Sequence, residues 1–170
     1  TKTNENKWIG DTMTEIVSNN CTRFWLQNCR GLPTTKDKNW FQYDMCNIVK
    51  NNIHYYSLPE ANINVSNTEI VSHIQQVHYN IVQSGTFTIT NTPSYPHQHR
   101  RQPGGIASGF YGRLENRYAK TVKDKYGRWH YHEYYGKSNQ LRVYNLYRVN
   151  NYTSSCGDTT AWAQQQTCLI

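Results

Sequence analysis

Leu141-Arg142-Val143-Tyr144-Asn145-Leu146-Tyr147-Arg148-Val149-Asn150 is built from aromatic and branched residues in the pattern of a β-strand. A second β-rich run, Arg128 to Tyr134, precedes it, and Tyr135-Gly136-Lys137-Ser138-Asn139 lies between the two. A glycine-containing loop between two such runs predicts a hairpin. Its second strand would carry Tyr147 and Asn150 to one sheet edge. Upstream, the pair Gly104-Gly105 predicts a turn, and Asp124 leads into Gly127-Arg128-Trp129.

A length of 170 residues suits one domain with a real core. The formal net charge of +7 favours an anionic partner such as nucleic acid. Lys and Arg are scattered, however, and the dense basic group is His97, His99, Arg100 and Arg101. The five cysteines, Cys21, Cys29, Cys46, Cys156 and Cys168, form no CxxC or Cys/His ligand pattern and read as reduced thiols. Asn20-Cys-Thr, Asn64-Val-Ser and Asn151-Tyr-Thr match the glycosylation sequon, as expected by chance in an Asn-rich chain. No apolar run approaches the roughly 18 residues a membrane span needs. Neither a leader nor a compartment is legible.

Outward from the hairpin, Thr1 to Asn20 is polar and reads as an arm laid on the domain. In Cys21 to Cys29 the row Phe24, Leu26, Asn28 alternates with Arg23, Trp25, Gln27, which predicts a half-buried strand with the first row inward. Asn28 would sit near its end. A helix is expected from Thr34 or Thr35 to about Lys50, its apolar stripe being Phe41, Met45, Ile48 and Val49. Ile53 to Leu58 is a short strand, and Glu60 falls just past its C-terminal end, where α/β sheets keep their ligand crevice.

Ser66-Asn67-Thr68-Glu69 has the form of a capping box, followed by Ile70, Ile74, Val77 and Ile81 in helical register. Thr86 to Thr90 alternates as a third strand, and residues 91–103, with three prolines, form a loop whose Arg100 and Arg101 could reach a phosphate backbone. Gly136-Lys137-Ser138 ends like a phosphate-binding loop, but Tyr131 stands where that motif needs Gly and no helix follows. His130 and His132 share a strand face with Tyr134, yet a metal site would need a third ligand in register. The element order predicts an α/β fold with a mixed, largely antiparallel sheet and flanking helices.

An ordered set of segments also resembles one family. They are Trp8-Ile-Gly-Asp11, Leu26-Gln-Asn-Cys-Arg-Gly-Leu32, Leu58-Pro-Glu-Ala-Asn62, Gln102-Pro-Gly-Gly105, Asp124-Lys-Tyr-Gly-Arg-Trp129, Leu146-Tyr-Arg-Val-Asn150 and Thr160-Ala-Trp-Ala-Gln-Gln-Gln166. In this order they resemble the N-terminal half of the endonuclease/exonuclease/phosphatase domain, in the form attached to the reverse transcriptases of retroelements. The division would be an arm over 1–20 and the half-domain over 21–170.

That resemblance implies half of a four-layered α/β sandwich that cleaves phosphodiesters with Mg²⁺. Carried over residue by residue, Glu60 is the metal-binding carboxylate and Asn28 the strand-end amide of the metal and phosphate site. Tyr147 contacts the scissile phosphate, and Asn150 is a nearby substrate contact. Hard oxygen donors suit Mg²⁺, and phenol and amide groups donate to phosphate oxygens. Two departures stand out: Arg30 replaces an acidic residue, and Pro59-Glu60-Ala61 replaces Gln-Glu-Thr. By the family pattern, the Gly-Asp-x-Asn segment and the Asp-His pair that complete the chemistry would follow Ile170, so these 170 residues are expected to be inactive alone. The alternative is a degenerate half-domain serving as a structural or interaction subunit. On either reading a partner chain or a C-terminal half should cover an exposed sheet.

Overall fold

The computed structural model describes residues 21–29, 31–32, 40–90, 105–124 and 129–147. The arm over 1–20, Arg30, the expected helix start at 34–39, Arg100 and Arg101, Asn150 and the 160–166 segment lie outside the described residues. The elements in order are β1 (Phe24–Leu26), α1 (Trp40–Lys50), β2 (Tyr55–Pro59), α2 (Thr68–Val82), β3 (Thr86–Thr90) and β4 (Ile106–Phe110). A 3-10 turn (Gly112–Arg117) leads into β5 (Tyr118–Lys123), β6 (Trp129–Tyr135) and β7 (Gln140–Leu146).

Helix α2 begins one residue later than a capping box at Ser66 would require. Its N-cap is Asn67, whose side chain accepts from the Ile70 N–H, while the Ser66 N–H donates to Asn64 Oδ1 in the preceding turn. Asn caps as well as Ser does, and the turn before it has already engaged Ser66. Glu69 then lies in the first turn, where a carboxylate complements the helix dipole. The helix ends at Gln83 in the left-handed conformation, its N–H bonded to the Tyr79 carbonyl.

Two sheets form. The first has the order β1-β2-β4-β3, and only its β1–β2 pair is parallel; the second is the antiparallel meander β5-β6-β7. The expected hairpin is β6–β7, closed by a Gly136 N–H to Asn139 carbonyl bond at 2.7 Å. The fold is thus α/β, largely antiparallel, with two sheets and flanking helices.

Helices α1 and α2 cover one face of the first sheet. Phe41, Met45 and Ile48 of α1 and Ile74 of α2 pack there on Tyr56, Leu58, Phe87 and Ala107. Full burial of each aliphatic side chain contributes about 1.5–3 kcal/mol. Val49, expected in the same stripe, is instead exposed. Strand β2 is the centre of the layering, because Tyr55 and Tyr56 are both fully buried on opposite faces. Tyr56 reaches the helix layer, where its hydroxyl lies 2.8 Å from His78 Nδ1. Burial lowers His78 to about 4, so the pair is neutral. The ring lies flat against Gly109: a Cβ there would stand 2.4 Å from the Tyr56 hydroxyl.

The second sheet covers the other face. Lys123 Nζ of β5 reaches the Ile89 carbonyl of β3, His130 and His132 of β6 bond Ser108 of β4, and Asn145 of β7 donates to the Tyr55 hydroxyl of β2. Tyr55, Phe110, Leu114 and Tyr134 form the apolar core of this interface. Thr88 and Thr90, which alternation alone would turn to solvent, are therefore buried.

Stacking β5, β6 and β7 on β3, β4 and β2 leaves β1, among the described residues, outside the sheet-on-sheet contact. This reverses the expected facing of the first strand. Trp25 packs on the helix-side core, whereas Phe24 and Leu26 point past β7 and are 44% and 68% exposed. The outer face of the second sheet carries a stacked Trp129–Tyr131 pair, Tyr144 against Tyr131, and Arg142 bonded to the buried Glu133.

Gly109→Ala should lower the stability of the chain by about 1–3 kcal/mol, since the new methyl must displace Tyr56 from His78. Denaturant unfolding measures this; an unchanged midpoint would show that Tyr56 has room to move.

Candidate functional site

Strand β2 ends at Pro59, and the next residue, Glu60, has φ +60°. Left-handed backbone is uncommon for a residue with a Cβ, and such positions concentrate where the surrounding structure holds a side chain for use. Asn62 repeats it at φ +53°. Between them Ala61 is tied on both sides: its N–H donates to the Gly105 carbonyl at 3.2 Å, and its carbonyl accepts from Leu32 N–H at 2.8 Å. Three chain segments meet at this one residue. The backbone turn that aims Glu60 is thereby fixed by hydrogen bonds from both flanks.

Tyr147 follows β7 directly. Alternation puts it on the same face as Asn145, which points at Tyr55 in the first sheet. Its phenol donates to Glu60 Oε1 at 3.0 Å. The contact joins residues 87 apart in the chain and links the ends of the two sheets. Both side chains are half-buried.

Asn28 approaches along β1. The parallel ladder pairs Leu26 with Ser57 and continues as Gln27 N–H to the Ser57 carbonyl and Cys29 N–H to the Pro59 carbonyl, each at 3.1 Å. Asn28 is therefore level with the end of β2, just before Glu60. It is exposed, in line with the outward facing of Phe24 and Leu26. The sequence-derived candidates Asn28, Glu60 and Tyr147 thus belong to one end of the fold, and the last two are in direct contact. Asn150, Arg100 and Arg101 lie outside the described residues.

Cys29 is a neighbour that sequence reasoning did not single out. Its thiol donates to the Pro59 carbonyl at 3.2 Å and lies 3.5 Å from the Glu60 carbonyl. Burial pushes it up to about 11, and the charges of Glu60 and Asp44 act in the same direction. The group is a protonated donor at neutral pH and holds the end of β2 instead of acting as a nucleophile. Only the alignment of the Cys29 and Pro59 runs in a parallel pair would have revealed it.

Among the described residues, no group of three His, Cys, Asp or Glu side chains could hold a metal ion. The carboxylate of Glu60 has the Tyr147 phenol at its side, and hard oxygen donors of this kind are the type that Mg²⁺ takes, few at a time and with several waters kept. The two histidines considered as ligands are committed elsewhere: both are fully buried and bonded to Ser108. No helix among the described residues is long and apolar enough to cross a membrane. Compared with models of known protein families, the chain matches none, and a comparison with curated proteins gives no match.

Native protein treated with a thiol reagent at pH 7.5 should react at exposed Cys21 and Cys46, with Cys29 modified only on unfolding. Peptide mass spectrometry after timed labelling reads this directly. Modification of Cys29 at the rate of Cys46 would contradict its assignment as a half-buried, engaged donor.

Proposed function

We propose that this chain supplies the metal- and phosphate-binding part of a Mg²⁺-dependent phosphodiesterase acting on nucleic acid. The observation that supports it best is the Glu60–Tyr147 contact, formed at the C-terminal end of β2 by a carboxylate on a left-handed residue. In this reading Glu60 and Asn28 hold Mg²⁺, which when bound would polarise a phosphoryl oxygen. Tyr147 exchanges its bond to Glu60 for one to a phosphate oxygen. Cys29 and Ala61 keep the end of β2 in place through backbone bonds. Arg100 and Arg101 add phosphate contacts that are blind to sequence. General-base and transition-state groups are not among the residues assigned here, so the 170 residues bind without turnover.

A second reading, a structural or interaction subunit, draws on a different observation. Phe24 and Leu26 of β1 are exposed, and on β7 Tyr144 and Leu146 are 51% and 57% exposed. Apolar side chains gathered on two edge strands favour a covering partner.

Titration with Mn²⁺ as a spectroscopic substitute for Mg²⁺ separates the readings. The first expects saturable binding that Glu60→Gln weakens by about tenfold or more, while Tyr147→Phe, which only removes a competing donor, leaves it unchanged or tighter. Cleavage of single- and double-stranded oligonucleotides in Mg²⁺ should stay at background throughout. Equal Mn²⁺ affinity of the wild type and Glu60→Gln, or no binding at millimolar ion, overturns the metal site and leaves the subunit reading.

A further inference from the structure

Between the two sheets runs a continuous line of polar side chains. The hydroxyl of Tyr118 lies 2.9 Å from Thr121 Oγ1, which lies 2.8 Å from His132 Nδ1. His132 Nε2 is 2.9 Å from Ser108 Oγ, and Ser108 Oγ is 2.6 Å from His130 Nε2. His130 Nδ1 is 3.2 Å from Thr90 Oγ1, which donates to the Ile106 carbonyl at 3.4 Å.

The last bond, a long one, assigns a sense to all the others. A carbonyl only accepts, and with the single proton of Thr90 on Ile106, Thr90 accepts from His130 Nδ1–H. His130 Nε2 is then a bare acceptor for the Ser108 proton. Ser108 in turn accepts from His132 Nε2–H, and His132 Nδ1 accepts from Thr121, which accepts from Tyr118. The two imidazoles are therefore opposite tautomers, and every link carries one proton.

A further proton on either imidazole would place a charge fully buried between the sheets. A proton added to His130 Nε2 turns the Ser108 hydrogen toward the Tyr55 phenol, and one added to His132 Nδ1 turns the Thr121 hydrogen toward Tyr118 at the exposed end of the line. Ser108, His130 and His132 are fully buried, so no water solvates the added charge. The surroundings oppose positive charge as well. Lys123 faces the pair from β5, and the two rings lie 5.1 Å apart. The other titratable groups around the rings are the phenols of Tyr55 from β2, Tyr118 from β5 and Tyr134 from β6. Glu133 is on the opposite face of β6, engaged by Arg142 and Lys120.

We propose that the Thr90–His130–Ser108–His132–Thr121–Tyr118 chain is an acid-operated latch: uptake of a proton by either imidazole parts the second sheet from the first and separates Tyr147 from Glu60. The latch would regulate the site proposed above, but it rests on the inter-sheet geometry and not on metal binding. Burial, then the neighbouring charges, lower His130 to about 3 and His132 to about 4. The ordinary value in an open or unfolded chain is about 6.5. The folded values being the lower ones, the closed state is fully favoured above about pH 6.5 and loses stability as pH falls toward 4. Two protons taken up on opening make the open population rise up to about 100-fold per pH unit in that window. His78, on the far face of the first sheet, acts on global unfolding in the same direction, so the readout must be local.

Nuclear magnetic resonance on the metal-free chain supplies it. At pH 7.5 the side-chain nitrogens should report the Nδ1–H tautomer for His130 and the Nε2–H tautomer for His132. Between pH 6.5 and 4 the contacts between the Phe110 and Tyr134 rings, 5.1 Å apart across the sheets, should fade before the α1–α2 contacts do. His132→Gln, which cannot titrate, should lower the slope to about tenfold per unit. An Nε2–H tautomer at His130, or loss of the Phe110–Tyr134 and helix contacts together in one step, overturns the latch whether or not any variant folds. Failure of the Mn²⁺ titration with these results intact overturns the metal reading alone.

Discussion

The architecture depends on an unusual choice of filling between the sheets. Where a sandwich would ordinarily interdigitate aliphatic side chains, this one places two imidazoles, a serine, two threonines and an asparagine among aromatic rings. Each polar group removed from water costs on the order of 1–3 kcal/mol unless it is paired. The pairing that forms, which leaves out Asn145 Oδ1 and the Tyr134 hydroxyl, requires β6 to stand over β4 in one register. A slip by one residue would turn His130 and His132 outward and bring Tyr131 and Glu133 in. The polar filling therefore selects the sheet alignment more sharply than apolar packing would, and the position of Tyr147 over Glu60 follows from it.

Much of the secondary structure is legible in the sequence because it is local. The β6–β7 hairpin follows from alternating runs around Gly136, and α2 from its Ile70, Ile74, Val77 and Ile81 stripe. The misreadings have one origin, which is that stacking of a second sheet cannot be read from a strand in isolation. Thr88 and Thr90 carry no mark of burial in the sequence, yet β5 and β6 cover them. Phe24 and Leu26 look like an inward row until β7 ends over β2. The cap at Asn67 differs for a nearer reason: the Asn64 side chain engages Ser66 first.

The candidate site was legible only in part, and by resemblance more than by pattern. Glu60 is unremarkable in sequence; its left-handed backbone and its partner at Tyr147 are tertiary facts. Cys29 gave no signal because its role is to donate to a carbonyl, which many residue types could do. His130 and His132 attracted attention as ligands by their spacing, while their partner Ser108 sits unmarked in the middle of β4.

The two flanks of the site differ in how firmly the fold holds them. Glu60 follows a strand paired on both sides, and Tyr147 follows a seven-residue strand paired along its whole length. Asn28 extends from a three-residue strand that, among the described residues, has one neighbour and two exposed apolar side chains. Strands of that kind open locally at little free-energy cost. Any ligand that needs all three residues must therefore first order the weakest strand of the sheet. Its apparent affinity is the intrinsic one reduced by the fraction of molecules in which β1 is closed.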